Sequence, residues 1–421
     1  MLDRLLWLYF FITPWFYVGS RESNLRLTFV DLMLPVGLAL LLWARPGRTP
    51  WWLKAGVMLG PLAVVTTVQN LAEPDYLSYL LKAIRLAGVF IPALLICRLR
   101  LDTASVRRLA AAFAWGGFVS VGVGIAGFLL DWEWTRAIQT FDYGTGQLTP
   151  RAGGVFRDSG AYGHMVATWM AFFFAIAWPR IRRWRWSAAA IVLGTGGVAI
   201  YVSMSRAAVL DVLVMAAVQS FVLLMRGGRV RYLVASAAIG LAIFGFFQMG
   251  TELDAGSSWE SRSAQVVFGR FATIAQGLTS DVDRLNTFSG NRLRSWLACY
   301  DLWLENPMGG VGYKSSKIQY GVIPDNVYMM ALVEMGIGGF ILVLLVFFGF
   351  WSWALRRAAQ GGTVALMISV AWAGQLAHGL TADTLTFPAS MSLAIAFAAM
   401  AWRIEAAGPR RWKLYSSAAA S

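Results

Sequence analysis

Charge is what this chain has least of. Only 14% of its 421 residues are Asp, Glu, Lys or Arg, whereas 58% are hydrophobic and the mean hydropathy is +0.58. Soluble domains carry about a quarter charged residues. Too little polar surface remains for folding in water, which excludes a string of soluble domains and leaves the bilayer as solvent. Cysteine is scarce as well. Cys97 closes an apolar run and Cys299 stands in a long connection, contexts too unlike for a disulfide or a metal pair. No metal and no cofactor are expected. A small-residue cleavage site is missing after MLDRLLWLYFF, so the start reads as a retained first helix. The net charge of +14 would suit nucleic acid if the basic residues formed a soluble patch. They punctuate apolar runs instead, and no nucleic-acid partner is expected.

Apolar stretches near membrane length cover residues 5–18, 27–43, 51–71, 76–97, 109–130 and 161–178, then 187–203, 207–225, 232–249, 326–353, 363–380 and 384–402. The expectation is an all-α polytopic membrane protein, one transmembrane domain over 1–421 with about 12 transmembrane helices. The first run is short enough to be tilted or half-buried. Alternate connections carry the basic residues: Arg45, Arg48 and Lys54; Arg98, Arg100, Arg107 and Arg108; Arg180, Arg182, Arg183 and Arg185; Arg226, Arg229 and Arg231; Arg356 and Arg357; and a tail with Arg403, Arg410, Arg411 and Lys413. Such residues are retained on the cytoplasmic side, so both termini are expected there. Two longer segments fall outside, 131–160 and the large 250–325 loop between the ninth and tenth helices. Within the latter, NRLRSWLACYDLWLENP sets Leu293, Trp296, Leu297, Tyr300 and Leu304 at helical spacing before Pro307. An amphipathic helix on the outer interface fits.

Ionisable residues in spans are costly, so their depth is informative. Asp31, Lys82, Arg85, His164, Arg206, Asp211, His378 and Asp383 all fall in outer halves, and Arg157, Arg292 and Asp325 lie in the outer loops. Together they could line one outward cavity. Snorkelling to headgroups accounts equally well for Lys82 and Arg85. Structural hydrogen bonding is the simpler account of Asp31, His164 and His378. Arg206, in SMSRAAVL, follows a polar turn between two apolar helices, where an unpaired guanidinium is disfavoured unless an anion reaches it.

At these segments the chain resembles the O-antigen ligase and polymerase family. RAGGVFRDSGAYGHMVA is similar to the segment leading into a central helix, and SMSRAAVL to a Ser-x-Ser-Arg turn. SGNRLRSWLACYDLWLENPMGGVGYKS is similar to the long-loop signature, and PDNVYMMALVEMGIGG to the return into the membrane. The resemblance covers about the C-terminal two thirds. It implies a glycosyltransferase of the inner membrane that polymerises undecaprenyl-diphosphate-linked repeat units on the periplasmic face. Lipid-linked oligosaccharide is then the donor, a glycan or lipid the acceptor, and a flippase and chain-length regulator the implied partners. One position departs: ligases carry His-Asn where this chain has Asp325-Asn326, which favours polymerase over the alternative of a ligase acting on lipid A core.

The chemistry agrees. A diphosphate leaves as a stable anion when a hydroxyl attacks the anomeric carbon, so cations are needed at the leaving group. Arginine binds phosphate bidentately and stays charged. Removing one well-placed donor typically costs about 3 to 4 kcal/mol. The resemblance assigns catalysis to Arg206, Arg292 and Asp325, and substrate binding to Arg157, Arg206, Arg292, Lys82, Arg85 and Asn326. Asp325 is either a base or orienting group for the acceptor, or the cap of the helix after it. Gly309, Gly310 and Gly312 serve a tight turn. A twelve-helix flippase or transporter is the rival from another class, but no repeat of the first six segments appears in the last six. Neither are motifs of the shape, elongation and division polymerases evident, and a purely structural partner leaves Arg206 unexplained.

Overall fold

A computed structural model describes residues 2–18, 27–43, 47–74, 76–98, 103–137, 140–141, 148–149, 151–177, 185–225 and 292–406. It is an all-α polytopic membrane protein, with short two-residue strand pairs as its only sheet among the described residues. The helices are α1 (Leu2–Ile12), α2 (Phe29–Trp43), α3 (Trp51–Thr67), α4 (Tyr76–Gly88), α5 (Ile91–Arg98), α6 (Thr103–Leu129) and α7 (Ser159–Phe172). They continue with α8 (Arg185–Ser203), α9 (Arg206–Met225), α10 (Arg292–Glu305), α11 (Ser315–Tyr320), α12 (Val327–Ala359), α13 (Thr363–Thr381) and α14 (Pro388–Ala406). Six described helical stretches are long and apolar enough to cross a membrane. The expected span at 232–249, most of the 250–325 loop and the basic 226–231 connection lie outside the described residues.

Prolines explain where the helices depart from the apolar runs. Pro14 ends the first run's helix at Ile12, and Tyr17–Val18 pairs instead with Leu27–Thr28. The run at 76–97 is two helices, because Pro92 has no N–H to give and its ring would press on the carbonyl of Gly88. The last run begins its helix only at Pro388, a residue suited to a first turn.

At the centre stand α7 and α14, buried along nearly their whole length. The sequence of α14 allows this: ASMSLAIAFAAMA is mostly small, so neighbouring backbones approach closely. Tyr9 of α1 donates to Ser392 at 2.7 Å, and Phe172 stacks on Phe397. Further out, Trp52 of α3 meets Phe350 of α12 edge-on, a contact worth about 0.5–1.5 kcal/mol beyond the area it buries.

One end of the bundle holds Arg108 beside Asp3, Arg98 donating to the Leu41 carbonyl, and Glu405 accepting from the backbone of Ala365. These are the basic connections. The opposite end holds Asp31, Asp158, Lys314, Asn326 and Asp383, with Arg85 on Asp31.

Candidate active site

Two helix starts build one wall of this end. Asp31 accepts from both the backbone and the hydroxyl of Thr28 through Oδ2, at 2.7 and 3.0 Å, which fixes the entry to α2. Its other oxygen takes Arg85 Nε at 2.6 Å. Asp158 caps α7, its Oδ1 accepting from Ala161 N at 2.8 Å. Between these elements opens a cavity of about 210 Å³ lined by Tyr17, Thr28, Arg85, Asp158, Phe387 and Ser390, among others. Larger hollows exist among the described residues. One of about 550 Å³ is walled almost wholly by apolar groups such as Trp115, Phe118 and Phe173, and one of about 410 Å³ lies at the Asp3 end. Neither joins opposed charges to the residues singled out by the sequence.

Of those residues, Arg85 lines the cavity directly. Arg157 adjoins it, in a left-handed conformation (φ 54°) just before the Asp158 cap, with Nε donating to the Trp134 carbonyl at 2.8 Å. Lys82, one turn before Arg85, sits 6.0 Å over the Tyr79 ring and is not among the cavity residues. The turn before Arg206 is tied by hydroxyls: Ser203 donates to Ile200 O and accepts from Ser205 N, and Ser205 accepts from Ala208 N. Arg206 opens α9 there, beside the start of α7, because Gly163 leaves room for Ser205. The side chains of Arg206 and Arg292 lie outside what the structure describes.

The long-loop helix forms as the spacing predicts, from Arg292 to Glu305, before Pro307. It buries Cys299 and Leu302 against Val311 and Val333, while Leu297, Tyr300 and Leu304 stay exposed. Ser295 donates to the Ile323 carbonyl, which brings the start of α10 to the segment before Asp325. Asp325 is half-buried. Burial, with Glu334 and Asp325 nearby, pushes the Cys299 thiol up to about 12. The cap of α12 is Asn326 rather than Asp325: its carbonyl oxygen accepts from Tyr328 N and Met329 N, and its nitrogen donates to Leu380 O at 3.2 Å. That geometry makes Asn326 a structural residue and releases Asp325 from the capping role.

The glycine turn has a function that its spacing does not reveal. α12 is broken at Gly336 (φ 64°, ψ −168°), a conformation open essentially to glycine alone. A helix broken within a membrane leaves carbonyls that water cannot reach. Here Val311 N and Gly312 N supply Val333 O and Glu334 O at 2.8 and 3.1 Å, and Ile337 N turns to Pro307 O at 3.0 Å. The loop thus replaces the helix's own partners. Gly310 (φ 65°) must be glycine on a second count, since a Cβ there would lie 2.6 Å from the Glu334 carbonyl carbon.

Two charged groups missed by sequence reasoning, Glu334 and Lys314, close this dock together with Asp383. Glu334, buried at the break, accepts from Lys314 N at 2.9 Å and Ser316 Oγ at 2.6 Å. Lys314 Nζ then reaches Asp383 Oδ2 at 2.5 Å, in the turn leading to α14. Burial would lower the Lys314 pKa, but Asp383 and Glu334 outweigh it and hold it above the ordinary lysine value. Only the outer position of Asp383 was legible beforehand. Among the described residues no group of His, Cys, Asp and Glu suits a metal ion.

This end brings arginines, carboxylates and a cavity together on a polytopic bundle. Residues 189–344 match the family model for O-antigen ligase. The match runs from α8 through the Arg206 turn and the 306–314 dock to just beyond the Gly336 break, so it bears out the family resemblance carried by the motifs from SMSRAAVL onward. It supports a membrane glycosyltransferase of the O-antigen ligase and polymerase type. Comparison with curated proteins gives no match.

Proposed function

We propose that this protein polymerises polyprenyl-diphosphate-linked oligosaccharides at the periplasmic face of the inner membrane. The family match across the SMSR turn and the docked loop is the observation that carries this reading. Arg206 and Arg292 bind the departing diphosphate, and Arg157 and Arg85 contribute to substrate binding. Asp325 orients the acceptor sugar by accepting a hydrogen bond from a hydroxyl next to the attacking one. The exposed Leu297, Tyr300 and Leu304 face of α10 rests on the outer interface. Ligation to a lipid acceptor is the second reading, favoured by the family model's own description. The Asp at 325, where ligases carry His, supports polymerisation.

The test is consumption of lipid-linked oligosaccharide by the protein in liposomes. Arg206→Ala and Arg292→Ala each abolish product while the protein still inserts, and Lys at either site falls severely short because the bidentate fork is lost. Near-normal ladders from either alanine variant remove that residue from the site. Products of increasing repeat number mark a polymerase; a single transfer to lipid A core marks a ligase. Orientation is read separately: Lys317→Cys labels from outside and Ser187→Cys does not, and the reverse pattern overturns the placement.

A further inference from the structure

The His164 imidazole is fully buried in α7, yet hydrogen bonds reach both its nitrogens. Nε2 lies 2.8 Å from Gln375 Oε1 on α13, and Nδ1 lies 2.7 Å from Ser390 Oγ on α14. Gln375 donates its amide nitrogen to Thr168 Oγ1 at 3.0 Å, one turn along α7. That bond turns the Gln375 carbonyl oxygen toward Nε2. The network therefore places the imidazole hydrogen on Nε2 and the lone pair on Nδ1. Ser390 donates to that lone pair. Its other contact, the Phe387 carbonyl at 3.3 Å, gives the hydroxyl somewhere to turn once Nδ1 is protonated. Ser390 also lines the cavity that holds Arg85 and Asp158. Helix-to-helix adhesion alone needs no such position: the hydroxyl stands between a poised imidazole and the cavity.

We propose that Ser390 and His164 form the proton-accepting relay of glycosyl transfer, with Ser390 touching the acceptor hydroxyl and His164 acting through it. This rests on the glycosyltransferase reading and supplies the base it lacks, leaving Asp325 to orient. The acceptor oxygen bonds to the anomeric carbon as the carbon–oxygen bond to the diphosphate breaks, and that bond's electron pair leaves with the prenyl diphosphate. The acceptor proton passes to Ser390 Oγ while the serine's own proton passes to His164 Nδ1. Serine is regenerated, and the imidazolium gives up its proton after product leaves. Facing His164 are the His378 ring of α13, its centroid 4.2 Å away, and the Phe387 ring at 5.7 Å. Asp211 of α9, buried and 2.6 Å from His378 Nδ1, is the carboxylate that offsets the imidazolium through His378.

The experiment uses the full chain in liposomes with lipid-linked oligosaccharide as substrate. Ser390→Ala lowers kcat by about 100-fold or more, the lower range of general-base catalysis, with KM for the donor unchanged. Ser390→Thr, which keeps a hydroxyl, recovers most of the rate. His164→Gln gives the same loss as Ser390→Ala, and the double variant is no worse than either, since parts of one relay are not additive. Gln375→Met releases the tautomer and costs a smaller share of kcat; it is the check if His164→Gln does not fold. If Ser390→Ala keeps kcat per folded molecule and only lowers the thermal transition, the relay alone is overturned. A wild-type protein that consumes no lipid-linked glycan brings down the glycosyltransferase reading and the relay together.

Discussion

Two buried polar regions of this bundle solve different problems. Around Gly336 the charges are full and opposed: Glu334, Lys314 and Asp383 hold a loop against a broken helix, and backbone groups satisfy one another across the break. Around His164 the partners of the imidazole are neutral, an amide and a hydroxyl, and the chain of bonds ends at a cavity wall. The first arrangement leaves few groups to react. The second keeps a lone pair within one hydroxyl of the cavity. Sequence motifs mark the first region heavily and, in the second, only His164, while Ser390 and Gln375 stand outside every motif. In this chain the recognisable signature is therefore largely architecture that positions the site, with the serine and glutamine of the proposed relay lying outside it.

The largest effect tests whether the dock is architecture. Gly336→Ala would force an L side chain into a conformation reserved for glycine and drive its Cβ into the Met308 carbonyl. No folded protein is expected by size-exclusion of the detergent-solubilised chain. By contrast Gly338→Ala, whose Cβ would meet only Leu62 at 3.9 Å, accumulates normally. Equal yields of the two variants would mean the break is not needed.

A smaller effect tests the ionic closure. Lys314→Met leaves Asp383 without its bonded cation while the backbone bond from residue 314 to Glu334 remains, and removing one partner of a buried pair costs about 3–5 kcal/mol. The thermal transition should fall accordingly, and Lys314→Met combined with Asp383→Leu should recover part of it. The pH dependence has a definite sign. Because the folded-state Lys314 pKa is raised, its contribution is complete below the unfolded lysine value of about 10.4 and is lost only as pH rises through the folded value. Lysine titration thus leaves the closure intact between pH 6 and 9, a range taken well below that lysine value. An unfolding transition at neutral pH that vanishes in Lys314→Met would contradict this.

How much of this was legible follows from the kind of signal each feature leaves. Helices formed within the continuous apolar runs among the described residues, cut short or split at Pro14, Pro92 and Pro388, and α10 stopped before Pro307 as its spacing predicts. The break in α12 was hidden because Gly336 sits in MGIGG, a run whose small residues look equally at home in a packed membrane helix. Prolines 14 and 92 were visible, and their weight against the apolar run was underestimated. At the candidate site, outer depth singled out Arg85, Asp31 and Asp383, because burying charge is costly wherever it occurs. Lys314 and Glu334 pair across 20 residues, and Ser390 and Gln375 reach His164 across 226 and 211. Such pairings have no periodicity and become readable only once the helices are placed.

The smallest effect decides between the two proposed proton acceptors. Asp325 precedes the cap of α12, and Asn326 performs the capping, so substitution at 325 should leave helix and fold intact. Asn326→Ala is the reference for a lost cap, expected to cost about 1 kcal/mol of stability. Asp325→Asn retains a carbonyl oxygen that accepts a hydrogen bond but cannot take a proton at neutral pH. If Asp325 only orients the acceptor, this variant loses less than about tenfold in kcat, no more than roughly 1.4 kcal/mol of transition-state stabilisation. Asp325→Ala, which removes the acceptor oxygen too, should lose more. A collapse of kcat in Asp325→Asn with normal folding and donor KM would make Asp325 the base, and Ser390→Ala should then be nearly silent. The two variants measured side by side cannot both be silent in a working enzyme that uses either residue as its base.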